Sequence, residues 1–273
     1  MGFRRLAAMV CLAGLPASLL VACGGEDVPK RATPSATLPT TTATATPTPT
    51  PTPSATSTPT STPTEKPAPS EEPAPSRGID ASHHQGPIDW AQVAEAGIAF
   101  AYLKATEGTG FTDPRFAAHR RQATRQGVAV SGYHYFQLCS DGAEQATHFL
   151  ATLGPGLRAS AKRLPPALDL ELVGSCADPP PAETLLAEVR EFLTAVDRAT
   201  GVPTMVYLYP EFEERFGFAD DLADHPQWVR RLGDRPPRRD WTVWQYDDAG
   251  SVPGIQGGVD LNLHAESRGT PER

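Results

Sequence analysis

The chain of 273 residues reads as an α/β protein whose folded part closes eight short strands into a β/α barrel with fewer helices than a regular barrel. Three observations lead there. Short runs rich in β-branched and aromatic residues alternate with longer segments of helical spacing, the pattern of a largely parallel sheet. Eight such runs stand against only four or five helices, so the last third of the barrel has lost its helices. Acids and aromatic rings recur at the C-terminal ends of different runs, where a parallel barrel carries its functional groups.

The chain begins with MGFRRLAAMVCLAGLPASLLVA, residues 1–22. Arg4 and Arg5 precede an apolar stretch broken by Pro16, too short for a membrane-spanning helix, so the segment reads as an export signal. Its end, Leu20-Val21-Ala22-Cys23, resembles the lipobox of bacterial lipoproteins. That resemblance implies lipidation of Cys23 and an exported, membrane-anchored chain facing the cell wall or periplasm; an ordinary signal cleaved near Ala22 is the alternative. Residues 23–76 are mostly Pro, Thr, Ser and Ala. Such a composition buries too little apolar surface to offset chain entropy and gives a disordered spacer, about 50 residues reaching on the order of 150 Å as polyproline II.

Residues 77–267 form one domain large enough for a substantial core, and 268–273 form a tail. Strands are expected over 77–82, 98–105, 128–136, 165–172, 202–210, 227–232, 241–247 and 258–264. Helical spacing with Gly just past the end marks IDWAQVAEAG, DPRFAAHRRQATRQG, DGAEQATHFLATLG and PAETLLAEVREFLTAVDRATG. Of four cysteines, Cys11 falls in the signal and Cys23 at the lipid site. The remaining pair, Cys139 and Cys176, follows the third and fourth strands and predicts a disulfide across the rim of the mouth. A net charge of −8 without a basic stripe argues against nucleic acid as a partner. The histidines show no metal-ligand spacing, so neither a metal nor a cofactor is expected; the domain is expected to be a monomer.

LPPALDLEL, residues 164–172, places Asp169 and Glu171 among apolar residues. On a strand these acids share one face while Leu168, Leu170 and Leu172 share the other. Burying two carboxylates costs several kcal/mol unless they pair or shift their pKa values. A same-face pair at a strand end suits acid-base chemistry, because repulsion and partial burial hold one acid protonated near neutrality. Their Cβ atoms would stand roughly 6–7 Å apart, which leaves inverting and retaining geometries open. Asp80, Lys104, Glu107, Tyr133, Tyr135, Tyr207, Tyr209, Trp244, Tyr246 and Asp260 fall at or after the ends of other strands. One mouth would then collect four acids and a wall of rings, the equipment of a saccharide site.

In order and spacing, GIDASHHQGPIDW, FAYLKATEG, GYHYF, LDLE, VYLY, WQY and VDLN resemble the glycoside hydrolase family 25 muramidases, the Chalaropsis-type lysozymes, over residues 77–264. The resemblance implies a flattened eight-stranded β/α barrel with fewer helices than a regular TIM barrel. It also implies hydrolysis of the β-1,4 bond between N-acetylmuramic acid and N-acetylglucosamine in peptidoglycan. Glu171 then matches the proton donor, and Asp169 the partner that steers the substrate's acetamido group onto the anomeric carbon, with retention. Asp80 and Asp260 match two further active-site acids, and Tyr102, Lys104, Tyr133, Tyr135, Tyr207 and Trp244 fall where the family lines its groove. His83 and His84 read as a solvent-facing loop. Two alternatives are a non-catalytic peptidoglycan-binding lipoprotein, which would have no need of four acids, and a glycosidase of another N-acetylated polysaccharide.

Overall fold

A computed structural model describes residues 75–156, 160–161 and 164–265. The export signal, Cys23, the linker up to residue 74 and the tail 268–273 lie outside the described residues. In chain order the elements are β1 (Ser76–Ala81), α1 (Trp90–Glu95), β2 (Phe100–Glu107), β3 (Phe111–Thr112), α2 (Phe116–Arg125), β4 (Ala129–Tyr135), α3 (Gly142–Leu153), β5 (Ala167–Leu170), α4 (Ala182–Thr200), β6 (Met205–Leu208), α5 (Pro210–Phe216), β7 (Gln227–Arg230), β8 (Val243–Gly250) and β9 (Val259–His264). A 3₁₀ turn covers His83–Gln85.

β1 pairs with both β2 and β9, which closes eight strands into a barrel; β3 adds an antiparallel flap to the edge of β2. Neighbouring barrel strands run parallel except at β9, which is antiparallel to β8 and to β1. The segment between β8 and β9 is too short for a crossover, so β9 returns as a hairpin partner. Side-chain caps start two of the helices: Asp89 accepts from the amides of Ala91 and Gln92 at α1, and Asp141 from that of Glu144 at α3. α4 buries Leu185, Val189, Phe192 and Val196 along one stripe and stops at Gly201, whose φ of 78° only glycine adopts cheaply.

Alternation along the strands makes two cores. The outward residues Ala101, Leu103 and Ala105 of β2, Leu168 and Leu170 of β5, and Val206 and Leu208 of β6 pack against the helices. The inward residues Phe100 and Tyr102, Ala167, Met205 and Tyr207, Trp228 and Val243 fill the barrel. Two residues further along the inner faces of β2, β5, β7 and β8, the apolar plug gives way to polar groups: Lys104 follows Tyr102, Asp169 follows Ala167, Arg230 follows Trp228 and Gln245 follows Val243. Period-two alternation therefore carries these four strands from packed floor to chemical mouth.

Candidate active site

The mouth holds a cavity of about 340 Å³ at the C-terminal ends of the parallel strands. Asp80, Asp169, Glu171 and Asp260 all line it, with Lys104, Tyr133, Tyr135 and Tyr207. Asp260 arrives by a different route from that expected. It is the second residue of β9, not a C-terminal one, and reaches the mouth because β9 runs the other way, in register with Asp80. Glu171 lies one residue beyond β5.

Asp80 is held by two amides whose orientation is itself fixed. Tyr207 donates its hydroxyl to Gln245 Oε1 (3.0 Å), leaving Gln245 Nε2 to donate to Asp80 Oδ2 (3.2 Å). Trp228 donates from Nε1 to Asn262 Oδ1 (2.9 Å), so Asn262 Nδ2 donates to the same carboxylate oxygen (2.7 Å). Burial raises the Asp80 pKa, against the opposing pull of Asn262, Asp260 and Gln245. Burial and the charge of Asp80 push Asp260 up to about 9, so near neutral pH Asp260 carries a proton and donates it to Asp80.

Asp169 and Glu171 form a second proton-sharing pair. Asp169, only 8% exposed and deeper than a wet cleft would place it, is driven well above the usual carboxylate range by burial and then by the charges of Glu171 and Asp80. Its Oδ1 is buried without a hydrogen-bond partner among the described residues. Burial lifts Glu171 to about 7, while its hydrogen bond with Asp169 and the positive charges of Arg230 and Lys104 hold it down. Lys104 Nζ stands 2.6 Å from Glu107 Oε2 and 4.6 Å from the centre of the Tyr135 ring. Burial, followed by the surrounding acids, keeps the Tyr133 hydroxyl protonated well past its ordinary range.

Two expected groove residues stand elsewhere. Tyr102 is fully buried beneath the cavity, its ring 4.7 Å from that of Trp228 and its hydroxyl donating to Pro165 O. Trp244 points away from the barrel interior, packs against Trp241 and Tyr246, and donates from Nε1 to Arg231 O; its neighbour Gln245 takes the inner position. The histidine turn is likewise more than a solvent loop. His83 binds Asp113 through its amide (2.9 Å) and Nδ1 (2.7 Å), and His84 lines the cavity. Sequence reasoning also missed Trp228, Arg230, Gln245 and Asp248. Arg230 Nη2 meets Asp248 Oδ2 at 2.5 Å at the cavity wall. Gln245 carried a usable signal, a polar residue on a strand that should be buried, which demands a buried partner.

Two proton-sharing carboxylate pairs facing a tyrosine-lined cavity in a β/α barrel define a glycosidase. Residues 79–255 match the family model for Glycosyl hydrolases family 25, and the chain belongs to that family. It is an enzyme, a glycoside hydrolase. It is 34% identical over 196 residues to Lysozyme M1 of Streptomyces globisporus, covering 68% of this chain and 66% of that one. It is 30% identical over 204 residues to N,O-diacetylmuramidase of Chalaropsis sp, covering 67% of this chain and 95% of that protein. The crystal structure of the bacterial lysozyme from Streptomyces coelicolor superposes with a TM-score of 0.62 at 32% identity, over 71% of this chain and 93% of that one.

Proposed function

We propose that the chain is a muramidase that hydrolyses the β-1,4 bond between N-acetylmuramic acid and N-acetylglucosamine in peptidoglycan, with Glu171 as proton donor and Asp169 assisting the substrate acetamido group. The observation that carries this reading is the pair itself: a proton shared between a buried Asp169 and the more open Glu171. The unpartnered Asp169 Oδ1 is an acceptor suited to an acetamido N–H. A donor arriving there lowers the Asp169 pKa and moves the pair's proton to Glu171, where the leaving glycosidic oxygen takes it. The acetamido oxygen bonds to the anomeric carbon as the glycosidic bond breaks, and water, losing its proton to Glu171, then opens that intermediate. Asp80 and Asp260 hold the second proton and fix the negative side of the cavity, and Tyr133, Tyr135 and Tyr207 supply rings and neutral hydroxyls.

The test is release of reducing ends from purified peptidoglycan by the full chain beside Glu171→Gln. Fragments ending in reducing N-acetylmuramic acid, lost at least about a hundredfold in the variant, are expected. A folded wild-type chain that binds the wall without cutting it would overturn the reading. The lipobox motif supports a membrane anchor at Cys23 that faces the enzyme to the wall; labelling of the expressed chain with a fatty acid, lost in Cys23→Ser, checks it, and an unlabelled wild type refutes it.

A further inference from the structure

We propose that Phe111, on the flap strand β3, is a stacking platform for a sugar ring one position further along the glycan than those held over the acids; this rests on the glycan-cleaving reading above. Among the described residues the large apolar side chains left exposed are Phe111 (41%), Val173 (76%) and Leu232 (44%). All three lie beyond the C-terminal ends of barrel strands, on the rim of one mouth. Phe111 is the aromatic one, and a phenyl ring without a polar handle binds by its face.

Phe111 connects with the cavity on two sides. Its ring centre lies 5.8 Å from that of His83, which is 4.1 Å from that of His84, a cavity residue. Lys104 Nζ, also at the cavity, stands 5.7 Å from the Phe111 ring and 4.6 Å from the Tyr135 ring, so the two rings flank one ammonium group. The platform is also held in place. Phe111 pairs with Glu107 of β2, its carbonyl accepts from His148 Nε2 (3.0 Å), and the amide of Asp113 donates to Ala105 O (2.9 Å). Asp113 in turn binds the His83 turn through two hydrogen bonds, which link the flap to the cavity edge. An exposed ring on a fixed support beside a saccharide cavity gains most by covering the apolar face of the next sugar of the same strand.

The experiment is calorimetric titration of the full chain carrying Glu171→Gln, which binds without turnover, with a length series of peptidoglycan glycan oligomers of alternating N-acetylmuramic acid and N-acetylglucosamine. Affinity should rise with length until the oligomer reaches the flap. Adding Phe111→Ala should remove about tenfold from that last gain, well beyond its effect on the shortest binding oligomer, while Phe111→Tyr retains it. A length gain that survives Phe111→Ala, or an equal loss at every length, overturns the platform and leaves the cavity reading intact. Failure of every oligomer to bind the folded chain overturns the cavity reading and the platform with it.

Discussion

Asp169 shows what a cavity of acids does to the fold that carries it. Its carboxyl, like those of Asp80, Glu171 and Asp260, has a folded-state pKa raised above that of an unfolded chain, so the folded state binds protons more tightly. The stabilisation this brings is fully present below about pH 4 and is lost as pH rises through the folded values, about 7 for Glu171 and about 9 for Asp260. Asp169→Asn should therefore raise stability by about 1–2 kcal/mol at pH 8, measured by denaturant unfolding, with hydrolysis falling at the same time. A less stable variant would show that Asp169 is held in place by contacts worth more than its buried charge costs. If Glu171 is the proton donor proposed above, hydrolysis by the wild type should decline above about pH 7, where Glu171 loses its proton. The D-x-E spacing was enough to place this pair on one face. Gln245 signals a buried partner without naming it, and the indole and amide supports of Asp80 are identified only when β9 lies between β1 and β8.

At the scale of elements, Glu171 stands on a loop, and its place depends on how that loop is fastened. The segment after β5 is stapled to the segment after β4. A disulfide joins Cys139 to Cys176, with Cα atoms 6.0 Å apart. Ser175 Oγ accepts from the Leu138 amide and donates to Phe136 O, Gln137 Nε2 donates to Gly174 O, and the Tyr135 hydroxyl donates to Val173 O. Closing a separation of 37 residues is worth roughly 4 kcal/mol to the folded state in the chain-entropy account. Replacing both cysteines with alanine should cost about 2–4 kcal/mol in unfolding measurements and lower turnover more than substrate binding; full activity in that variant would leave the hydrogen bonds as the sufficient fastening. The helical segments were plain in their spacing and their closing glycines. The facing of β8 was not: Trp244 and Gln245 are adjacent, and a shift of one residue exchanges the inner face for the outer. The short helix Pro210–Phe216 went unmarked because PEFEERF follows directly on a strand and presents a single buried residue, Phe212.

For the whole molecule, composition and alternation yield a closed barrel, since eight strand signals with few helices admit few other arrangements. They do not yield the direction of β9, because side chains point to alternate faces in a strand of either direction. That is why Asp260 reads as a strand-end residue in the sequence and lies near the start of β9 in the fold. The reversal of β9 also brings the two ends of the barrel side by side. Ser76 pairs with His264, both at the floor, while Asp80 pairs with Asp260 at the mouth. The barrel is therefore a loop already nearly closed at its base, and a short peptide bridging those ends would allow new termini to be cut elsewhere in a circularly permuted chain. By the same geometry, both ends of the barrel stand at the face opposite the mouth, so neither Ser76 nor His264 borders the cavity.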